Sequence, residues 1–524
     1  LDILGILLTR RSLTDYGFVE CSPQVAAEIG KFRGGLPVVV LVLVFILQKM
    51  LALISLPLRL TGLAVEFVLN LLSLNGGILG IIWHFITCTL QFPSPPPYTM
   101  IDLFYIHPCV LTFVQVKTHN GSCMSCVHDA LCVCTVGSLT IPNRNKASFR
   151  SIVAQIDGRL DLYKDVRMEE ASSPPYSWGG SDGCSHELLD LTMMAAKIVY
   201  ENEAYIENAM HFVEFFDCWN KYLSKKSTQA FVFCDKEVDA KLICVAFRGT
   251  EPFDAQDWST DVELSWISMG RKMGRVHLGF MKALGLQDET DFAVGFPVEE
   301  PPLESPDKPL AYYAIRETLR SLLGAHPNAK LVVTGHSLGA ALAILFPAVL
   351  VYHGVTEVVG RIDRVVTHAQ PRVGDEAFAS YMEITASLRY DRTVYRYDIV
   401  PRVPFDLPSP LSAYRHFGTC IYYRDWSNAK AVAEVPNKNY FNPLYLVSMY
   451  GNALGDLIKG LFIGLVKGKD FQEGWVSISA RMFGLLVPGV VSHSPRDYVN
   501  AARLSELCLL HRSSTSYSVE VDMV

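Results

Sequence analysis

The sequence predicts an α/β fold, and three observations predict it. Residues 331–345, LVVTGHSLGAALAIL, pass from four residues of strand character through a glycine-flanked serine into a small-residue apolar run of helical composition. Strand-like runs at 242–247, 362–367 and 394–397 alternate with helical ones at 311–323 and 378–382. The length of 524 residues accommodates one large α/β domain together with accessory segments.

The first of these stretches organises the rest. A strand that turns sharply into a helix at a serine needs glycine two residues to either side, here Gly335 and Gly339, so that strand and helix approach closely. Ser337 is then held in a strained backbone conformation above a helix N-terminus, whose unbonded N–H groups favour developing negative charge. A nucleophilic serine is the function this arrangement predicts.

Composition excludes other classes. The net charge is −7, with no broad basic surface, so nucleic acid is not an expected partner. The 13 cysteines are an odd number in apolar contexts such as Cys234 and Cys244, which predicts buried thiols in a reducing compartment. The chain begins at Leu1 rather than Met, so a short preceding piece is expected. Residues 1–35 carry charges of both signs before any long apolar run, unlike a cleavable export signal.

Mean hydropathy is +0.22, and the excess is local. Between residues 36 and 92 only Lys49, Arg59 and Glu66 are formally charged. Each uninterrupted apolar run is shorter than the roughly 20 residues of one membrane span. Together the runs exceed that length, but they are broken at Gln48-Lys49, Pro57, Arg59, Gly62 and Asn75-Gly76-Gly77. The segment is compatible with two spanning helices, a hairpin in one leaflet or a droplet surface, or a buried helical subdomain. So little polar face is left for water that a lipid anchor is favoured.

Pro93-Ser94-Pro95-Pro96-Pro97 reads as a stiff linker opening a poorly assigned region, 93–180. Within it Cys123, Cys126, Cys132, Cys134 and His128 match no common zinc spacing, and no metal is expected. A globular domain is expected from 181 to 524. It opens with a helix over 188–222 and continues with strands at 230–234 and 242–247, the second ending in Arg248-Gly249-Thr250. A strand-end N–H and hydroxyl upstream of the serine turn are what an oxyanion hole requires. Residues 285–309, acidic and proline-rich, read as a solvent loop. The strand at 394–397 ends in Asp398-Ile399-Val400-Pro401-Arg402-Val403-Pro404.

RGT, GHSLGAALA, QPRVGDEAF and YDIVPRVP, in this order and spacing, resemble the class 3 lipase family typified by fungal triacylglycerol lipases. With the apolar N-terminal region, the chain is similar to plant oil-body lipases within it. The resemblance covers roughly residues 188–499. It implies an α/β-hydrolase fold and a Ser–Asp–His triad, with Ser337 as nucleophile and Asp398 as the acid. Thr250 and the N–H of Leu338 would form the oxyanion hole, and the segment after Thr250, through Trp258, matches the family's lid. No metal or organic cofactor is implied. Asp363, Asp375 and Asp391 are rival acids, of which Asp375 reads as a helix start. Asp398, at a strand end before a proline-rich loop, is favoured. Family order puts the histidine after the acid, leaving His416, His493 and His511. His493, in a loop before a final helix, matches the catalytic position.

Residues 424–490 depart from the fungal pattern. They are expected either as helices packed over the sheet or as a second lipid-contacting surface. The resulting expectation is a serine lipase acting on triacylglycerols and diacylglycerols at a lipid droplet or endoplasmic reticulum surface, its hydrolase domain facing the cytosol. The competing functions are a phospholipase A1 or galactolipase, and a non-catalytic droplet or membrane scaffold. Protein partners are not predicted.

Overall fold

The computed structural model describes residues 36–87, 89–91, 146–160, 186–209, 213–252, 254, 265–270, 272–286, 296–301, 305–384, 388–406, 414–440 and 442–508. The cysteine group around Cys123, most of the expected lid including Trp258, and His511 lie outside them.

The apolar N-terminal stretch forms helix α1, Leu36–Leu74, and helix α2, Gly77–Ile86. Of these breaks in the apolar run only Asn75-Gly76-Gly77 interrupts the helix. Gly76 and Gly77 take φ of 72° and 85°, and Asn75 donates to the carbonyls of Leu71 and Gln91. Helix α1 continues through Pro57, contrary to the sequence expectation, and the Thr61 hydroxyl donates to the Pro57 carbonyl at 2.8 Å. Residues Lys49–Leu74 are long and apolar enough to cross a membrane, and only 11% of their most apolar window is buried. That exposure sets α1 apart from a core helix. Its C-terminal part docks through Asn70, which donates to the Arg150 carbonyl at 3.1 Å and accepts from the Arg150 N–H at 2.9 Å.

Helix α3, Ile152–Ile156, leads towards α4, His186–Ile198, and α5, Glu203–Ala209. The helix expected over 188–222 ends early, and residues Val213–Asn220 are strand β1. Phe216, Cys218 and Asn220 are buried while Phe215, Asp217 and Trp219 between them are more exposed, a period of two that suits a sheet rather than a helix. Strand β1 pairs antiparallel with β2, Lys225–Cys234, which pairs with β3, Leu242–Phe247.

After β4, Trp266–Ser268, and β5, Arg275–His277, come α6, Leu278–Ala283, and α7, Ala311–Ala325. Strand β6, Lys330–His336, turns into α8, Leu338–Tyr352, followed by α9, Thr356–Val359, and β7, Ile362–His368. Strand β8, Gly374–Asp375, α10, Glu376–Ile384, and β9, Tyr390–Tyr395, follow. The last part holds β10, Tyr414–Arg415, β11, Thr419–Asp425, and β12, Asn428–Val432. It ends with α11, Leu446–Lys467, α12, Trp475–Gly484, α13, Pro488–Val491, α14, Pro495–Leu504, and β13, Glu506–Cys508.

The main sheet runs β1-β2-β3-β6-β7-β9-β11-β12-β13, with the pairs from β3 to β11 parallel. Alternate residues of its strands feed opposite cores. Ile243, Val245, Leu331 and Val333 pack with α6, α7 and α8, whereas Leu242, Cys244 and Val332 pack with α4 and α14. Helices on both faces leave the carboxyl ends of the parallel strands as the open rim, where side chains from β3, β6 and β9 meet. Cys218, Cys234, Cys244 and Cys420 are buried free thiols, as composition predicts.

Candidate active site

The turn between β6 and α8 is as tight as its glycines require. A Cβ on Gly335 would stand 2.2 Å from the Gly339 carbonyl oxygen, and one on Gly339 would stand 2.1 Å from the Phe247 carbonyl oxygen. Ser337 carries φ 60° and ψ −130°, a strained conformation for a residue with a side chain. Its N–H donates to the His368 carbonyl at 3.1 Å, which pins the turn to β7. Leu338 is the first residue of α8, so its N–H has no acceptor within the helix.

Three residues distant in sequence meet here. The Ser337 Oγ lies 2.8 Å from Nε2 of His493, and His493 Nδ1 lies 2.9 and 3.1 Å from the two oxygens of Asp398. A carboxylate only accepts, so Nδ1 carries the proton and donates to Asp398. Nε2 is therefore the acceptor facing the serine hydroxyl. Asp398 follows β9 and is fully buried, yet its oxygens also accept from the Val400 N–H at 2.9 Å and the Tyr498 hydroxyl at 2.7 Å. These donors take the place of water around the buried charge. Burial and the neighbouring Asp398 push the Tyr498 phenol well above its ordinary pKa, so it stays a donor.

A second line of contacts holds His493 from its backbone. His336 Nε2 donates to the His493 carbonyl at 3.1 Å, and the Tyr200 hydroxyl lies 3.3 Å from His336 Nδ1. Burial, with His493 and His368 nearby, drives the His336 pKa well down, which keeps the ring neutral and suits one donor and one acceptor nitrogen. Its ring centroid lies 4.6 Å from that of His493. Sequence reasoning singled out none of Tyr498, Tyr200 and His336. Only adjacency to Ser337, for His336, and a place in the helix after His493, for Tyr498, pointed to them.

The Arg248-Gly249-Thr250 turn abuts the serine. A Cβ on Gly249 would stand 2.5 Å from the His336 carbonyl oxygen and 3.0 Å from Ser337 Cβ. Thr250, the next residue, is buried. Ser337 itself is only 1% exposed.

The rival groups lie elsewhere. Asp363 pairs with Arg389 at 2.6 Å, Asp391 pairs with Arg364, and Asp375 accepts from the Phe378 N–H at 2.9 Å at the start of α10. His416 points Nε2 at the Pro401 carbonyl at 2.7 Å. Among the described residues no group of acidic, histidine and cysteine side chains has the geometry of a metal site.

Known proteins carry the same stretches. Residues 244–407 match the family profile described as "Lipase (class 3)". The protein named "Triacylglycerol lipase OBL1" of Nicotiana tabacum is 35% identical over 522 residues, spanning 88% of this chain and 82% of that protein. This chain is a member of the class 3 lipase family. The Arabidopsis thaliana protein of the same name is 37% identical, over 89% of this chain and 84% of its own length. A Rhizomucor miehei protein named "Lipase" is 31% identical over 166 residues, 31% of this chain and 38% of that protein. The family membership carries with it the α/β-hydrolase fold described above.

Proposed function

We infer that this class 3 lipase hydrolyses carboxyl esters of triacylglycerols, and of diacylglycerols, at a lipid–water surface. The observation that carries the reading is the series Ser337 Oγ, His493 and Asp398, joined by hydrogen bonds of 2.8 and 2.9 Å at a strained strand-to-helix turn. The names of the plant relatives support triacylglycerol as the substrate.

In this mechanism His493 Nε2 takes the Ser337 proton as Oγ attacks the ester carbonyl carbon. The imidazolium that forms is stabilised by Asp398, itself held by Tyr498 and the Val400 N–H. The carbonyl oxygen becomes an oxyanion beside the Leu338 N–H and Thr250, each donor lowering the barrier by about 3 kcal/mol. His493 returns the proton to the leaving alkoxide, which departs as a partial glyceride. Water then attacks the acyl–Ser337 ester with His493 again as base, releasing the fatty acid and restoring the serine.

Helix α1 is the element that would hold the enzyme on a lipid droplet or endoplasmic reticulum surface, its exposed apolar length supporting that role. The burial of Ser337 supports a closed state that opens where lipid is met.

The test is turnover of emulsified triolein and of phosphatidylcholine by the purified full-length protein. Triolein hydrolysis that disappears in folded Ser337→Ala is the expected result. Phosphatidylcholine turned over in preference to triolein would make the enzyme a phospholipase. Ser337→Ala at wild-type activity would remove the serine mechanism.

A further inference from the structure

Helices α11 and α12 turn polar side chains inward and large apolar ones outward. The stripe of α11 turned towards the protein is Met449, Ala453, Asp456, Gly460 and Ile463, at steps of four, three, four and three. The outward side carries Leu454, Ile458, Leu461, Phe462, Leu465 and Val466, from 49% to 85% exposed. In α12 the buried residues are Ser477, Arg481 and Gly484, whereas Trp475, Met482 and Phe483 are 60% exposed or more. A helix at an aqueous surface has the opposite arrangement.

The inward polar groups are all engaged. Asp456 pairs with Arg396 at 3.0 Å and accepts from the Tyr395 hydroxyl at 3.0 Å. Arg481 donates to Glu473 at 2.8 Å and to Asp497 at 2.7 Å. Charges thus fasten these helices to the strand before Asp398 and to α14, which follows His493. Gly460 lets them close up, since a Cβ there would stand 2.8 Å from Arg481 Nε.

We propose that α11, α12 and α13 form a lipid-inserted platform, their outward face seated in the phospholipid coat of an acylglycerol phase. Charge supports that occupant. Among residues 443–491 the exposed formal charges are Lys459, Lys467, Lys469 and Asp470, three basic to one acidic in a chain of net charge −7, which suits anionic phosphate headgroups. Exposed Trp475 and Tyr450 are the amphipathic rings that settle at headgroup level. The platform is also joined to the anchor through α3, because α12 packs on α3, and α3 in turn packs on α1. Exposed Val487 and Val490 bring it within a few residues of His493, so a seated platform would set the catalytic rim against the ester. The platform rests on the lipase reading for its substrate, and on the inverted helices for its existence.

The experiment uses the full-length protein, a triolein emulsion coated with phosphatidylcholine and phosphatidylserine, and water-soluble p-nitrophenyl butyrate. Because α1 still tethers the chain, the effect is read in turnover rather than attachment. Phe462→Asp and Phe483→Asp should each lower emulsion turnover by about tenfold or more while leaving the soluble ester within about twofold. Val238→Asp, an equally exposed apolar site between β2 and β3, should change neither. The fluorescence lost in Trp475→Phe should be quenched by brominated phosphatidylcholine vesicles. Unchanged emulsion turnover, or equal loss on both substrates, overturns the proposal. So does a Trp475 signal quenched only by aqueous acrylamide, or by neither agent; the last would mean that protein, such as a second copy of the chain, covers the face. A wild type that ignores triolein while bromolipid quenches Trp475 would sink the lipase reading and leave the platform standing.

Discussion

The Tyr498 hydroxyl donates a 2.7 Å hydrogen bond to Asp398 Oδ2, the same oxygen that His493 Nδ1 approaches at 2.9 Å. The phenol and the imidazole thus share one carboxylate oxygen, and Tyr498 fixes where the carboxylate can point. Its hydroxyl also lies 3.0 Å from the Tyr395 backbone N–H, so it ties the acid to the strand end that carries it.

Tyr498→Phe keeps the ring and removes the donor. A hydrogen bond to a charged group contributes about 1.5–3 kcal/mol, so kcat on a soluble ester should fall about 10- to 100-fold. KM should move little, because the hydroxyl touches no substrate. A variant with wild-type kcat would show that His493 and the Val400 N–H alone orient Asp398.

His493 and His416 separate just as sharply. His493→Ala should lower turnover at least about a thousandfold, since members of such a series act as a unit. His416→Ala loses a bond to the Pro401 carbonyl and should keep turnover near wild type in folded protein. Steady-state rates of the two purified variants decide it. A dead His416→Ala beside an active His493→Ala would reverse the assignment.

The buried histidines should make the fold acid-sensitive. Burial lowers His368 to about 3 and His336 well below 6.5, so both stay neutral in the folded chain. The unfolded chain binds protons at these positions below about pH 6.5 and the folded chain does not. Stability therefore rises with pH between the folded and unfolded values, by about 1.4 kcal/mol per pH unit for each group. Melting temperature should drop from pH 6.5 to pH 4. His368 bonds Thr393 at 2.9 Å and Thr192 at 3.1 Å. His368→Gln should flatten the slope by one proton, and an unchanged slope would mean that His368 does not titrate on unfolding.

The elbow was legible because it is local. Gly335, Ser337 and Gly339 lie within five residues, and their steric demands follow from neighbours in sequence. Asp398 was legible from its strand end, and His493 from order along the family pattern. Tyr498, Tyr200 and His336 were not, because their roles arise from contacts across 100 or more residues that no local pattern encodes. Strand β1 was lost for a different reason. Its alternation follows directly on two helices, and the apolar Phe215-Phe216 pair also satisfies a helical spacing. Pro57 misled because the helix runs on past it, with the Thr61 hydroxyl donating to the Pro57 carbonyl. The inverted face of α11 could not be read from periodicity, since the pattern reports an apolar stripe without saying which side meets the protein.

His493 follows Ser337 by 156 residues, and among the described residues no earlier histidine supplies its bond to the serine. At about 5–20 residues per second, a ribosome takes roughly 8–30 s to cover that distance. Throughout the interval a nascent chain carries Ser337 without the histidine proposed as its base. On the mechanism proposed above, hydrolysis can begin only after the strand, acid and closing helix have all left the ribosome. Order along the chain acts as a timer.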